Sequence, residues 1–306
     1  MAVYFSIFLV ILTGITGVVW LADKFYLAPK RKLTLAAAQA QCQEALSAEV
    51  EAKLSEPLAI IDTCVQIFPV IAFVLILRSF LWEPFQIPSG SMMPTLLDGD
   101  FILVNKFNYG LRDPVVRNKF FEVGLPEQGD VVVFKYPRDT KIDYIKRVIG
   151  LPGDRIIYRN KSIYIKPACL ESDEKCPDFE QVVHNFRKET DTPDGSYGLS
   201  RHTSVMPNKT HDILIDNQTL PRTQHYYQQA GTQRDEFVVP QGHYYVMGDN
   251  RDNSLDGRFW GFVPEENLVG EAIAIWMSFD FDRDENSLLP KWVPTNVRFS
   301  RLGWIN

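Results

Sequence analysis

The sequence predicts two N-terminal transmembrane helices followed by a mainly-β domain, a sandwich or partly closed barrel with a polar lobe inserted in it. Three observations predict this fold. Two long apolar runs stand near the start, short apolar runs separated by turn residues follow them, and that second part has no long helical periodicity. The chain has 306 residues, a formal net charge of −6 and a pI near 5.5, which argues against nucleic acid as a partner. Its mean hydropathy of −0.13 conceals the division, because the apolar residues gather at one end.

Val3 to Ala22 is a run of twenty residues without a charged side chain, and twenty residues of helix match the apolar thickness of a bilayer. The competing reading is a cleavable signal peptide, which wants a basic residue before a shorter apolar core and small residues before the cut. Nothing basic precedes Val3, and Trp20-Leu21-Ala22 is a poor cleavage site, so residues 1–22 read as an uncleaved span. Leu58 to Leu77 is the second run, with Asp62 and Pro69 inside it. Proline is tolerated in a span where neighbouring groups satisfy the freed backbone. Arg78, Phe80, Trp82 and Phe85 follow, a cation and aromatics suited to the headgroup region, and the span reads as 58–81.

Lys24, Lys30, Arg31, Lys32 and Lys53 lie between the spans, and no basic residue precedes the first. The positive-inside bias then puts residues 23–57 in the cytoplasm and residues 82–306 outside it. Within the loop, Leu35, Ala38, Cys42, Leu46, Val50 and Leu54 recur at helical spacing, which predicts one amphipathic helix stopped before Pro57. Cys42 and Cys64 are isolated, whereas Cys169 and Cys176 stand close together in the exported part. A disulfide is permitted there. Metal binding is the alternative for this pair, but no further cysteine or histidine stands at ligand spacing, and no metal is expected.

From Asp100 onward the apolar runs are short. Phe101–Val104, Val131–Phe134, Tyr144–Ile149, Arg155–Tyr158, Ser162–Ile165, Phe237–Val239, Tyr244–Met247 and Ala272–Phe279 read as strands. Turn signals such as Glu127-Gln128-Gly129-Asp130 and Pro152-Gly153-Asp154 separate them. Residues of about 167–236 are rich in Asp, Asn, Thr, His and Gln, and read as the inserted lobe.

Phe85-Gln86-Ile87-Pro88-Ser89-Gly90-Ser91-Met92-Met93-Pro94-Thr95-Leu96 is the stretch around which the chemistry gathers. Two prolines stiffen it, and Gly90 admits a close neighbour beside Ser91. A serine so held becomes a nucleophile only with a base. Histidine is the commonest base, but His184, His202, His211, His225 and His243 have no neighbouring signature and read as surface residues. A lysine is the second route. In Asp143-Tyr144-Ile145-Lys146-Arg147-Val148-Ile149, strand alternation puts Tyr144, Lys146 and Val148 on one face, where an amine is poorly hydrated. To be largely neutral at pH 7 its pKa must fall from about 10.4 to near 7, at a cost of about 4 kcal/mol. The alternative reading of Lys146 is a lysine snorkelling from a strand edge. A metal is the third route, and Asp249–Gly257 resembles a calcium loop. Val263 stands where that loop needs a bidentate glutamate, so calcium is not expected.

Pro88–Leu96, Gly99-Asp100, Asp143–Arg147 and Gly248–Ser254 occur in that order, and together they resemble the bacterial type I signal peptidases of Gram-negative type. The resemblance implies a membrane-bound serine endopeptidase of the periplasmic face of the inner membrane, with a signal-peptidase-type β fold. It would remove signal peptides from exported preproteins after small-x-small sites by a Ser-Lys dyad, without a cofactor. By position, Ser91 would be the nucleophile and Lys146 the general base. The Ser91 N–H and the Ser89 hydroxyl would form the oxyanion hole, and Ser254 would hydrogen-bond Lys146. Asp256 and Arg258 would pair to brace the loop, which Gly257 between them is expected to loosen. Phe85, Ile87, Met92, Leu96, Tyr144 and Ile145 would line shallow pockets for small side chains.

Ten residues separate Leu81 from Ser91, so the nucleophile lies within about 35 Å of the span along the chain, at a depth suited to a membrane-embedded substrate. Two other functions compete. A self-cleaving Ser-Lys regulator predicts a cytosolic or DNA-binding segment, which the two spans contradict. A catalytically silent membrane-anchored assembly module predicts loss of Ser91 or Lys146, and both are present. The lipid bilayer and preproteins are the partners expected of a monomer.

Overall fold

The computed structural model describes residues 2–41, 46–113, 118–169, 176–190, 198–281, 290 and 293–305. The chain divides into a helical unit up to Leu81 and a second unit that begins at Trp82.

In the helical unit, α1 (Ala2–Ala22) runs through a π-helical turn, Asp23–Leu27, into α2 (Ala28–Gln41). The helix therefore continues beyond the apolar run that predicted it. Pro29 explains the wider turn: it has no N–H and its ring crowds the carbonyl four residues back, which an extra residue per turn relieves. Asp23 is buried there and pairs with Arg31 at 2.8 Å. The single amphipathic helix expected between Leu35 and Leu54 is instead α2 and a separate α3 (Ala48–Ser55), which ends before Pro57 as the proline requires. Cys42 of that expectation lies outside the described residues. α4 (Ala59–Ile76) carries Pro69 and the half-buried Cys64, and a second π-helical turn, Leu77–Leu81, follows it. α1 and α4 touch where Trp20 meets Phe68 at 5.3 Å, and a Cβ on Gly17 would stand 2.9 Å from the Phe68 ring. Two helices, Ser6–Gln41 and Ala59–Leu81, are long and apolar enough to cross a membrane.

The second unit is mainly β. Its strands are β1 (Trp82–Gln86), β2 (Asp100–Asn105), β3 (Leu111–Arg112), β4 (Lys119–Phe121), β5 (Val131–Tyr136) and β6 (Asp139–Gly150). Next come β7 (Arg155–Arg159), β8 (Ser162–Lys166), β9 (Glu180–Gln181), β10 (Val183–Thr190), β11 (Leu199–Val205) and β12 (Thr210–Asp216). The last are β13 (Glu236–Val238), β14 (His243–Met247), β15 (Val263–Pro264), β16 (Leu268–Asp280), β17 (Asn296–Val297) and β18 (Gly303–Trp304). The main sheet has the order β1-β2-β16-β5-β6-β14-β15, with β17 and β18 added to β16, and every pairing within it is antiparallel.

The strands expected from the short apolar runs all form, and β6 and β16 extend beyond the runs that announced them. The polar region of about 167–236 contains the three-stranded sheet β10-β11-β12, while β9 completes the sheet β13-β7-β8-β9. Cys169 and Cys176 are joined as a disulfide with their Cα atoms 5.0 Å apart. Among the described residues, three clusters make the core. One of them, with Ile87, Met92, Leu96, Ile102, Val104 and Ile145, lies directly beneath the stretch that holds Ser91.

Candidate active site

Ser91 sits in a single 3-10 turn, Gly90–Met92, at the exit of β1. Its position is set from the other side by the loop after β14. The Asn250 N–H donates to the Ser91 carbonyl at 3.1 Å, and the Asn250 side-chain amide donates to the Gly90 carbonyl at 3.0 Å. Gly248 is required for that approach, since a Cβ there would lie 2.5 Å from the Ser91 carbonyl oxygen.

Lys146 reaches Ser91 from β6, where it stands opposite Val132 of β5. Its Nζ donates to Ser91 Oγ at 2.7 Å and to the Ile145 carbonyl at 2.8 Å, and lies 5.5 Å from the centre of the Tyr144 ring. The residue is 4 % exposed. Burial lowers its pKa from 10.5 to about 8; Asp256 and Asp249 oppose that fall, and Arg258 adds to it. Tyr144 and Lys146 share a face, as alternation predicts, and the snorkelling alternative is not what forms. A desolvated amine with one hydroxyl and one carbonyl around it is suited to accept a proton from that hydroxyl.

The neighbouring residue faces the other way and is structural. Arg147, wholly buried, donates from Nε and Nη2 to Asp249 at 2.9 and 2.8 Å and from Nη1 to the Gly129 carbonyl at 2.6 Å. Burial would raise the Asp249 pKa, but the Arg147 guanidinium holds it below the usual carboxylate range. Thr95 Oγ1 also donates to Asp249. The segment after Ser91 is thus tied to the loop after β14 through one carboxylate. In the sequence Asp249, Asn250 and Arg147 stand as motif residues, and this role is missed there. The available signal is an arginine on a strand position that alternation sends inward.

Asp256 and Arg258 pair as the resemblance implied, Nε to Oδ1 at 2.8 Å and Nη2 to Oδ2 at 2.9 Å, both fully buried. Burial would raise Asp256 too, and Arg258 together with the Gly248 N–H keeps it lowered. Gly257 does not loosen this brace. A Cβ there would stand 2.8 Å from the Val246 carbonyl and 3.0 Å from the Tyr245 ring, so glycine is what lets the loop close. The expected bond from Ser254 to Lys146 is absent. Ser254 is buried beside the site, its Oγ makes no hydrogen bond to the amine, and the Ile145 carbonyl takes that place. Ser89 Oγ lies 3.5 Å from Ser91 Oγ and is exposed.

A cleft of about 920 Å³ opens over Ser91 and Lys146. Tyr144 and Ile145 line it as expected, with Ser89 and Ser254. Phe85, Ile87, Met92 and Leu96 do not. Ile87, Met92 and Leu96 are 2 %, 0 % and 0 % exposed and pack, with Phe85 against them, in the cluster beneath the cleft. The resemblance placed them in the pockets, and their apolar character buries them instead. The cleft wall instead includes Pro88, Ile142, Leu255 and Phe259, and Arg222 and His225 from the segment after β12. Of the histidines expected on the surface, His211 is buried, 3.7 Å from Asp249, and burial lowers its pKa to about 3. No histidine bonds Ser91, and no cluster of metal-ligating side chains occurs, among the described residues.

The family model for "Signal peptidase, peptidase S26" matches residues 60–277. A signal peptidase I of Buchnera aphidicola subsp. Acyrthosiphon pisum is 39 % identical over the whole of both chains. That of Pseudomonas aeruginosa is 36 % identical, also over the whole of both. That of Haemophilus influenzae is 37 % identical over 97 % of this chain and 90 % of its own. A solved signal peptidase I of Enterococcus faecalis V583, 24 % identical over 49 % of this chain and 98 % of its own, gives a TM-score of 0.26, too low a likeness to argue from. A family match across more than half the chain, and relatives this similar along its full length, carry one conclusion: the chain belongs to the signal peptidase family, peptidase S26.

Proposed function

We propose that this peptidase removes N-terminal signal peptides from exported preproteins after small-x-small sites, Ala-x-Ala among them, through Ser91 as nucleophile and Lys146 as general base. One observation carries the reading: a 4 % exposed amine stands 2.7 Å from a hydroxyl, with its pKa lowered to about 8. Neutral Lys146 takes the Ser91 proton as Oγ attacks the scissile carbonyl, and returns it to the departing amine of the mature protein. A water then loses its proton to Lys146 and attacks the ester, and Ser91 Oγ takes that proton back as the acyl–oxygen bond breaks. The Ser91 N–H and the Ser89 hydroxyl meet the charge that develops on the carbonyl oxygen. Asp256 with Arg258, and Asp249 with Arg147, hold the two halves of the dyad at their separation, and Ser254 packs beside the amine without bonding it.

Tyr144 and Ile145 are the walls that meet the substrate side chains. The close-packed cluster of Ile87, Met92 and Leu96, with Phe85, is a floor that admits only small ones. The two apolar helices, 1–22 and 58–81, anchor the protein in the inner membrane, with the loop 23–57 in the cytoplasm. The domain 82–306 stands in the periplasm as a partly closed β barrel whose polar lobe, about 167–236, carries the disulfide. The protein acts as a monomer on membrane-bound preproteins and needs no cofactor.

The test is to incubate the purified full chain in detergent with a precursor carrying Ala-x-Ala and to sequence the new N-terminus. Cleavage after the second alanine supports the reading. Cleavage elsewhere, or an intact precursor, overturns it.

A further inference from the structure

The cleft has a charged wall that the dyad does not use. Its carboxylates are already engaged: Asp143 pairs with Lys135 at 2.7 Å, and Asp252 pairs with Lys161 at 3.1 Å and accepts from the Asp216 N–H at 2.9 Å. Arg222 lines the same cleft, is exposed, and has no side-chain hydrogen bond or ion pair among the described residues. Its guanidinium is always charged and offers donors in a fork that matches a carboxylate. The segment that bears it is held in place. A 3-10 turn, Thr223–His225, follows directly, the Tyr226 ring packs on Phe259 at 5.4 Å, and the Tyr227 N–H donates to the Arg258 carbonyl at 2.7 Å. Phe259 is itself a cleft residue, so Arg222 stands on a wall braced by the loop that carries Ser254.

Resting on the peptidase reading, we infer that Arg222 is a specificity-determining residue that pairs with an acidic side chain of the substrate near the scissile bond. The same cleft runs along β6 from Lys146 back to Ile142, about 13 Å of extended strand, and that length limits the acidic residue to within about four positions of the cut. An ion pair formed in an open cleft favours the acidic substrate by about fivefold in kcat/KM, the upper end for a solvent-accessible pair. Salt diminishes that preference, because the charges remain in contact with water.

The experiment uses the purified full chain in detergent and peptides with one Ala-x-Ala site. Glutamate or glutamine is placed at each position from four before to four after the cut except the two alanines of the site, which stay fixed. Wild type is expected to prefer glutamate about fivefold at one position, and Arg222→Gln to cleave the two peptides of that position at equal rates. Arg222→Glu is expected to reverse the preference when lysine replaces glutamate there. Cleavage by wild type without a glutamate preference at any position, or a preference that persists in Arg222→Gln, overturns this inference alone. Failure of wild type to cleave any of the peptides overturns the peptidase reading with it.

Discussion

The amine of Lys146 donates to Ser91 Oγ across 2.7 Å, from a residue that is 4 % exposed and 55 positions away in the chain. Among the described residues no carboxylate bonds that amine; its other partner is the carbonyl of Ile145, which cannot lock it in the charged state as an ion pair would.

Ser91→Ala and Lys146→Ala are each expected to lower precursor cleavage by at least about a thousandfold, since neither half of a nucleophile–base pair acts alone. Circular dichroism and thermal unfolding should show the β domain still folded. Retained processing by Lys146→Ala would remove it as the base.

Activity should rise with pH through about 8, because only neutral Lys146 accepts the proton. Below that value kcat/KM of the free enzyme is expected to fall about tenfold per pH unit. At pH 7 about a tenth of the molecules carry the neutral amine, enough for turnover. A profile flat between pH 6 and 9 would refute this assignment.

The same shift has a consequence for stability. The folded pKa of Lys146 lies below its unfolded value of 10.5, so between about 8 and 10.5 the unfolded chain binds the extra proton and stability rises with pH. Below about 8 the buried charge costs its full amount, about 3 kcal/mol. Lys146→Met should therefore be more stable than wild type near pH 7, with the difference shrinking above pH 8. Denaturant unfolding of the two proteins across that range measures it, and a wild type equally or more stable at pH 7 would contradict it.

Ser89→Ala is expected to slow turnover by about a hundredfold while leaving unfolding unchanged, the usual effect of losing one oxyanion donor. Its hydroxyl is exposed and, among the described residues, makes only a 3.5 Å contact with Ser91 Oγ, so the fold has little to lose. An unchanged rate takes Ser89 out of the mechanism.

Gly257→Ala should destabilise the fold by about 1–3 kcal/mol, because its Cβ meets the Val246 carbonyl at 2.8 Å on one side and the Tyr245 ring on the other. Both neighbours are buried and have no room to retreat. A melting temperature equal to that of wild type would show that the loop has slack.

Patterns that repeat along the chain are legible in the amino-acid sequence itself. Hydropathy over twenty residues locates both apolar helices, and short apolar runs between turn residues locate β2, β5, β6, β7, β8, β13, β14 and β16. Alternation also puts Lys146 on an apolar face, from which the direction of its lowered pKa follows. These features depend on neighbours a few residues apart, and local spacing carries them.

Spacing says nothing about which distant segments meet. That Ile87, Met92 and Leu96 are floor rather than wall, that the Ile145 carbonyl and not Ser254 takes the second bond of the amine, and that Gly257 tightens its loop are decided only when β1, β6 and β14 come together. Arg147 and Arg222 make the same point from opposite sides, one buried against a carboxylate 102 positions away and the other left open on a cleft wall. An apolar or charged residue carries its chemistry in the sequence, but burial and partner are properties of the whole packed chain.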